Sequence, residues 1–373
     1  MNIKPLLPHP IKRPMIIAGP CSAETETQVI ETARQLKEAG QIVDFFRAGI
    51  WKPRTRPNSF EGVGKEGLLW LKKVKAEFGF KTCTEVANTA HVFHALKNDV
   101  DLLWLGARTT VNPFSVQEIA DALEGVDKPI LIKNPINPDL GLWIGAIERI
   151  YKAGLSRIGV IHRGFSSHGE TKFRNVPRWQ IAIELKRRFP ELVMICDNSH
   201  ICGRRDILGE IAQQAMDLNY AGIMTETHCT PDEAWSDAAQ QITPAVFKEM
   251  VDNLVIREEN SKDVLVNQNI GDLRNQIDEL DEEIINLISN RMQLADEIGA
   301  YKKRNNISIL QSSRFNDILE QAIIQGERKG LSQRFITTYL HAIHQESINH
   351  QKKVYQNTKT EIDVTEHKET KKS

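Results

Sequence analysis

Residues 101–133, DLLWLGARTTVNPFSVQEIADALEGVDKPILIK, hold the repeating unit that decides the fold. The apolar run at 102–105 has the length and continuity of a strand buried on both faces, and it is followed within three residues by Arg108. An amphipathic stretch of helical length follows at 116–123, and then a second apolar run at 130–132 that ends in Lys133. The same unit recurs along the first ~255 residues, with apolar runs at 15–18, 44–46, 80–84, 102–105, 130–132, 158–161, 192–196 and 223–224. Helical stretches such as 27–39, 66–78, 177–188 and 206–218 separate the runs. Eight strand–helix units predict an α/β fold, a (β/α)8 TIM barrel, whose polar residues gather where strands end. Those strand-end residues are Cys21, Arg47, Glu85, Arg108, Lys133, Arg163, His200 and Glu226.

The chain has 373 residues, more than one barrel of ~250 needs, so a second and smaller domain is expected. A barrel over 1–256 gives way to a polar linker at 257–269 and a proline-free helical domain at 270–355; a disordered tail is expected at 356–373. Net charge is −1, which argues against nucleic acid or a membrane surface as the main partner. No apolar run is long enough to span a bilayer and no signal pattern opens the chain, so a cytoplasmic protein is expected. The five cysteines are scattered and odd in number, against a disulfide framework.

The strand-end residues divide by chemistry. Cys21, His200 and Glu226, with Asp237 eleven residues further on, offer a thiolate, an imidazole and two carboxylates. Such a set suits a divalent transition ion (Mn, Fe, Co or Zn) and would rarely serve magnesium or calcium. Arg47, Lys52, Arg54 and Arg56 crowd one loop, and Arg108, Lys133 and Arg163 end three further strands. Cations confined in a cavity need anions, which points to small molecules rich in phosphate and carboxylate. Glu85 belongs to neither set, and Arg56 has no assigned role.

These residues also carry a resemblance. GPCSAE at 19–24, RAGIWKPRT at 47–55, GART at 106–109, Lys133, HRG at 162–164, DNSH at 197–200 and TETH at 225–228 with Asp237 resemble the type I 3-deoxy-D-arabino-heptulosonate 7-phosphate (DAHP) synthases. The resemblance implies metal-dependent condensation of phosphoenolpyruvate with erythrose 4-phosphate, the first step of the shikimate pathway. It implies that Arg108, Lys133 and Arg163 hold phosphoenolpyruvate, that Arg47 and a catalytic Lys52 complete its site, and that Arg54 and Thr55 hold the aldose phosphate. Cys21, His200, Glu226 and Asp237 match the metal ligands. The related octulosonate 8-phosphate synthases typically read KANRT where this chain reads KPRT, which favours the heptulosonate reaction. With the barrel starting inside the first twenty residues, the N-terminal regulatory domain of some members is not expected.

From Ile270 the apolar positions Ile270, Leu273, Ile277, Leu280, Ile284, Leu287, Leu294, Ile298 and Tyr301 follow a 3-4 repeat that Arg291 interrupts. A helix over 270–304 would be roughly 50 Å long, too long for so small a domain to cover, so its seam is expected to pack on a second copy of the chain. Two shorter helices follow, one capped by Ser312 and one over 332–355. Arg291 and Lys302 share a helix face, as do Ser347 and Gln351, and buried cations need an anion. This region resembles the all-helical chorismate mutases, which are intertwined dimers. The resemblance implies that Arg274 (serving the partner copy), Arg291 and Arg314 grip the carboxylates of chorismate with Ser347 nearby, and that Lys302 and Gln351 act on the ether oxygen. Gln311 and Phe315 stand where acidic residues contact the substrate hydroxyl.

The expected protein is a bifunctional homodimer, possible in higher assemblies, that binds phosphoenolpyruvate, erythrose 4-phosphate and chorismate, with feedback by prephenate or chorismate. The alternative keeps the synthase and makes the helical domain a sensing and dimerising module. A Schiff-base aldolase built on Lys133 would leave the metal set idle.

Overall fold

The computed structural model describes residues 1–52, 60–169, 172–258 and 261–356. Its contacts divide the chain into two compact units, Met1–Glu259 and Asn260–Ser373.

In the first unit, strands β1 (Met15–Gly19), β2 (Phe45–Arg47), β3 (Thr82–Val86), β4 (Leu102–Leu105), β5 (Ile130–Lys133), β6 (Ile158–His162), β7 (Val193–Asp197) and β8 (Gly222–Glu226) form a closed barrel in sequence order. Every neighbouring pair is parallel, and β8 returns to β1 with Gly19 opposite Glu226. The intervening helices are α1 (Glu26–Glu38), α2 (Glu66–Phe78), α3 (Thr89–Lys97), α4 (Ala107–Thr110), α5 (Pro113–Ala122), α6 (Leu140–Lys152), α7 (Trp179–Arg188), α8 (Asn198–Cys202), α9 (Leu208–Asp217) and α10 (Pro244–Asp252). Side-chain oxygens of Asn88, Asn112 and Asp139 accept backbone N–H bonds at the starts of α3, α5 and α6, which fixes where each return helix begins.

The two-residue period of the strands sorts their apolar residues into separate cores. Ile16, Ala18, Leu103, Ile130, Ile132 and Val160 face the helices. Met15, Ile17, Phe45, Leu102, Trp104, Leu131, Ile161, Ile195 and Met224 fill the interior, where Leu6 and Leu7 of the N-terminal segment join them. That segment lies against Arg157 and Glu191, which precede β6 and β7, so it plugs the end of the barrel where strands begin. The opposite rim stays open for polar residues.

The second unit holds α11 (Val264–Arg304), α12 (Ser312–Arg328) and α13 (Gln333–Gln356). The expected start at Ile270 and linker to 269 are corrected: α11 begins six residues earlier, where the Asp263 side chain accepts from the Leu265 backbone N–H. Gln311 rather than Ser312 holds the cap position of α12, and Gln356 ends α13 rather than opening the tail. The rest of the expected tail lies outside the described residues. On α11 only Met292, Ala295 and Gly299 are buried, while Leu273, Leu280, Leu287 and Leu294 are each more than half exposed. Gly299 is where α13 comes closest, with Gln351 Cα 3.2 Å from the position a Cβ would take. Among the described residues, no helix is long and apolar enough to cross a membrane.

All six tryptophans lie in the first unit, so tryptophan emission reports barrel unfolding alone. Leu6 is 1 % exposed inside the barrel. Leu6→Ala is expected to destabilise that transition by about 2–5 kcal/mol; a change too small to measure in urea titrations followed by tryptophan emission would mean that the segment does not plug the barrel.

Candidate active sites

Glu226 ends β8 and Arg47 ends β2, on either side of β1, and both are fully buried. They can meet because Gly19, at the end of β1, has no side chain: with φ +141, a Cβ there would lie 2.1 Å from the Arg47 carbonyl oxygen. Arg47 Nη2 donates to Glu226 Oε1 at 3.0 Å and to the Cys21 carbonyl at 3.3 Å. Its Nε and Nη1 are buried with no partner among the described residues. Two orphaned guanidinium donors in a cationic rim invite an anionic ligand.

Cys21 Sγ, a Glu226 carboxylate oxygen and an Asp237 carboxylate oxygen lie within 4.8 Å of one another. Lys52 Nζ is 3.0 Å from the sulfur, and Cys21 Sγ lies 3.4 Å from Asp237 Oδ2. Burial and the neighbouring Glu226 charge push the Cys21 thiol up to about 12. Burial opposes ionisation of Glu226 and Asp237 as well, but the charges facing them outweigh it and hold both below the ordinary carboxylate range; for Glu226 these are His200 and Arg47, for Asp237 His200 and Arg174. A buried thiol between two ionised carboxylates fits a dication, which would hold the sulfur as thiolate. His200 stands beside this group rather than in it. Its Nδ1 is 3.8 Å from Glu226 Oε1 but is taken up by Asp197, at 3.0 Å from Oδ1 and 2.9 Å from Oδ2. A carboxylate on Nδ1 sets the tautomer whose Nε2 lone pair is available to a metal.

Lys133 Nζ donates to Asp197 Oδ2 at 2.8 Å, so Asp197 is shared between Lys133 and His200. Burial works against that carboxylate, yet His200 and Lys133 keep it well below its ordinary value. Arg163 follows β6 and is nine-tenths buried; burial, helped by the charges of Arg174 and Arg108, lowers it to about 10 against the pull of Asp197. Arg108 sits exposed on α4. Arg54, Thr55 and Arg56 lie outside the described residues.

In the second unit a cavity of about 290 Å³ brings together Arg291, Lys302, Arg314, Ser347 and Gln351 with the apolar faces of all three helices. Arg291 Nη1 donates to Ser347 Oγ at 2.5 Å, and Lys302 Nζ donates to the Ile309 carbonyl at 2.7 Å. Burial lowers the Lys302 ammonium. Gln351 Oε1 is buried and unpaired among the described residues. Among the described residues no carboxylate lines the cavity; Gln311 and Phe315 do, and the Phe315 ring stacks on His344 at 4.1 Å. Arg274 is exposed on α11 and is not among the lining residues.

Sequence comparison matches residues 11–262 to the DAHP synthetase I family. The chain belongs to that family. Residues 273–352 match chorismate mutase type II, so the chain carries the domains of two enzyme families, a transferase and an isomerase of the shikimate pathway. A phospho-2-dehydro-3-deoxyheptonate aldolase of Thermotoga maritima is 32 % identical over 239 residues, covering 64 % of this chain and 68 % of the relative. A 2-dehydro-3-deoxyphosphooctonate aldolase of Wolinella succinogenes is 28 % identical over 269 residues, 66 % of this chain and 99 % of its own. The crystal structure of the Thermotoga maritima DAHP synthase superposes with a TM-score of 0.58 at 30 % identity, over 64 % of this chain and 67 % of that one.

Within this chain, several residues of the rim have no role in the sequence reading. Asp197 lies inside the DNSH motif, and its position at the end of β7 was the available signal. Arg174 and Asn175 sit in a loop and Gln240 ends a single 3-10 turn, where no period marks them. Glu85, left open by the sequence, accepts from Trp104 Nε1 at 3.0 Å. The Trp104 ring lies 5.2 Å from the Arg47 guanidinium and 5.7 Å from Lys133 Nζ, so Glu85 anchors an aromatic face shared by two cations. Glu85→Leu leaves that buried indole N–H without an acceptor and is expected to cost about 1–3 kcal/mol in the tryptophan-reported transition. Glu85→Gln keeps an acceptor oxygen and should retain most of the stability; equal losses in both variants would show that the acceptor is not what matters.

Proposed function

We propose that the barrel condenses phosphoenolpyruvate with erythrose 4-phosphate to give DAHP and phosphate, using a divalent transition metal held by Cys21, His200, Glu226 and Asp237. The observation that carries this reading is the rim itself, where a thiol and two carboxylates cluster in contact with Lys52 and Arg47. When bound, the metal supplies Lewis-acid polarisation of the aldehyde oxygen. Arg47, through its two orphaned donors, with Lys133, Arg163 and Arg108, binds the phosphate and carboxylate of phosphoenolpyruvate and orients its C3 toward the aldehyde carbon. The C3–C1 bond forms as water adds at C2, and phosphate leaves with cleavage of the C–O bond; the fixed cations stabilise the charge it carries away. Lys52, 3.0 Å from Cys21 Sγ, gives a proton to the former aldehyde oxygen as that oxygen gains charge. Arg54 and Thr55 are assigned to the aldose phosphate.

For the helical unit we infer rearrangement of chorismate to prephenate. Arg291 and Arg314, joined by Arg274 of a second copy, hold the two carboxylates, with Ser347 fixing Arg291. Lys302 and Gln351 face the ether oxygen, and confinement of the compact conformer with donation to that oxygen suffices for the reaction. The exposed seam of α11 supports a homodimer. A cytoplasmic setting agrees with five unpaired cysteines. The absence of a carboxylate among the described residues that line the cavity supports the second reading, a chorismate- or prephenate-sensing module.

Assays on the intact chain separate these readings. A chelator should abolish DAHP formation and leave chorismate turnover unchanged, and added Mn, Fe, Co or Zn should restore the synthase. Loss of both activities, or of neither, contradicts the assignment of the metal to the barrel. Arg291→Ala should lower kcat for chorismate by about 100-fold or more with DAHP formation in chelator-free buffer retained; an intact chain that binds chorismate without turning it over favours the sensing module. Prephenate is expected to inhibit DAHP formation. In analytical ultracentrifugation the chain should sediment as a dimer that Ile277→Lys with Leu280→Lys dissociates; a dimer unaffected by both substitutions would move the interface elsewhere.

A further inference from the structure

The loop between β6 and α7 carries two consecutive polar residues, each of which reaches a different part of the rim. Asn175 Oδ1 accepts from Arg163 Nη1 at 2.6 Å, while Asn175 Nδ2 donates to the His200 carbonyl at 2.6 Å. One amide thus spans a substrate-site cation and the backbone of a metal-set histidine, which only a side chain with both an acceptor and a donor can do. Arg174 turns the other way. Its Nη1 lies 3.1 Å from Asp237 Oδ1 and donates to Gln240 Oε1 at 2.6 Å, and Gln240 Nε2 donates to Glu226 Oε2 at 2.6 Å.

The backbone holds this dipeptide firmly. Phe165 and Val176 exchange two hydrogen bonds at 2.8 and 2.9 Å, and the Arg174 and Asn175 N–H groups donate to the carbonyls of Cys202 and Ile201. Gly164 has φ +75 and admits the Asn175 carbonyl oxygen 2.4 Å from where a Cβ would stand, so no larger residue fits. Asn175 is itself buried.

We propose that Arg174 and Asn175 are positioning residues of the synthase that tie the phosphate-binding Arg163 to the metal set, so that metal and phosphoenolpyruvate bind with positive coupling. The inference rests on the site assignment above. An ion that orders His200, Asp237 and Glu226 also orders the dipeptide that aims Arg163, which lowers the ordering cost for phosphoenolpyruvate; by linkage the substrate tightens the metal by the same factor.

The test measures Mn2+ affinity of the intact chain by electron paramagnetic resonance of free Mn2+, with and without saturating phosphoenolpyruvate, and phosphoenolpyruvate affinity in chelator by calorimetry. Phosphoenolpyruvate is expected to tighten Mn2+ by about 5- to 150-fold in the unmodified chain. Asn175→Ala should weaken Mn2+ alone by about 10-fold or more and remove most of the enhancement. Asn175→Asp keeps the acceptor for Arg163 but loses the donor to His200, so it should bind phosphoenolpyruvate near normally without enhancing Mn2+. If Asn175→Ala fails to fold by tryptophan emission, the nearly isosteric Asn175→Asp decides. No enhancement in the unmodified chain, or full enhancement in either folded variant, overturns the inference. Unchanged Mn2+ affinity in Cys21→Ser would instead reject the site assignment on which it rests.

Discussion

The buried pairing of Arg47 with Glu226 is the constraint on which the barrel rim depends. Neither charge could be taken out of water alone; a carboxylate and a guanidinium with almost no exposure persist only when paired and hydrogen-bonded. Gly19 lets the pair form across β1, Gln240 satisfies the second Glu226 oxygen, and Trp104 backs the guanidinium. The same logic extends outward. Lys52 meets Cys21, Lys133 and His200 meet Asp197, and Arg174 meets Asp237, so each group suited to a metal is held by, or lies close to, a group suited to an anion. A dication and a phosphorylated enol entering such a rim would exchange partners with groups already in place, the carboxylates and guanidinium already ionised, which is the physical content of preorganisation.

Much of the barrel was legible because parallel strands buried on both faces leave uninterrupted apolar runs, and a charge that ends such a run stands out. The strands at 102–105 and the helix at 66–78 agree with the sequence reading residue for residue. Boundaries failed where local chemistry overrode texture: α11 starts in a polar stretch read as linker because one aspartate caps it. Residues that work through others were the least visible. Asn175 and Arg174 stand in an aperiodic loop, and their roles arise from partners distant in sequence, such as Arg163, His200 and Asp237. Trp104 read as one more strand hydrophobe, and only the closed barrel places its ring beneath two cations.

The helical unit solves a different problem with fewer means. Its cavity offers permanent positive charge and neutral donors, and the chemistry assigned to it needs no proton shuttle or metal. Gln311 and Phe315 line the cavity, no carboxylate does so among the described residues, and the stacking of Phe315 on His344 gives that wall an aromatic surface. The apolar seam of α11 remains exposed along most of the helix.

The central claim is that substrate cations and a mixed sulfur–carboxylate metal set are interlocked at one rim. X-ray absorption of the intact chain loaded with one equivalent of zinc tests it most directly. The account predicts one sulfur donor at about 2.3 Å with nitrogen and oxygen completing the shell. A shell without sulfur, or with several sulfurs, would place the metal elsewhere and contradict it.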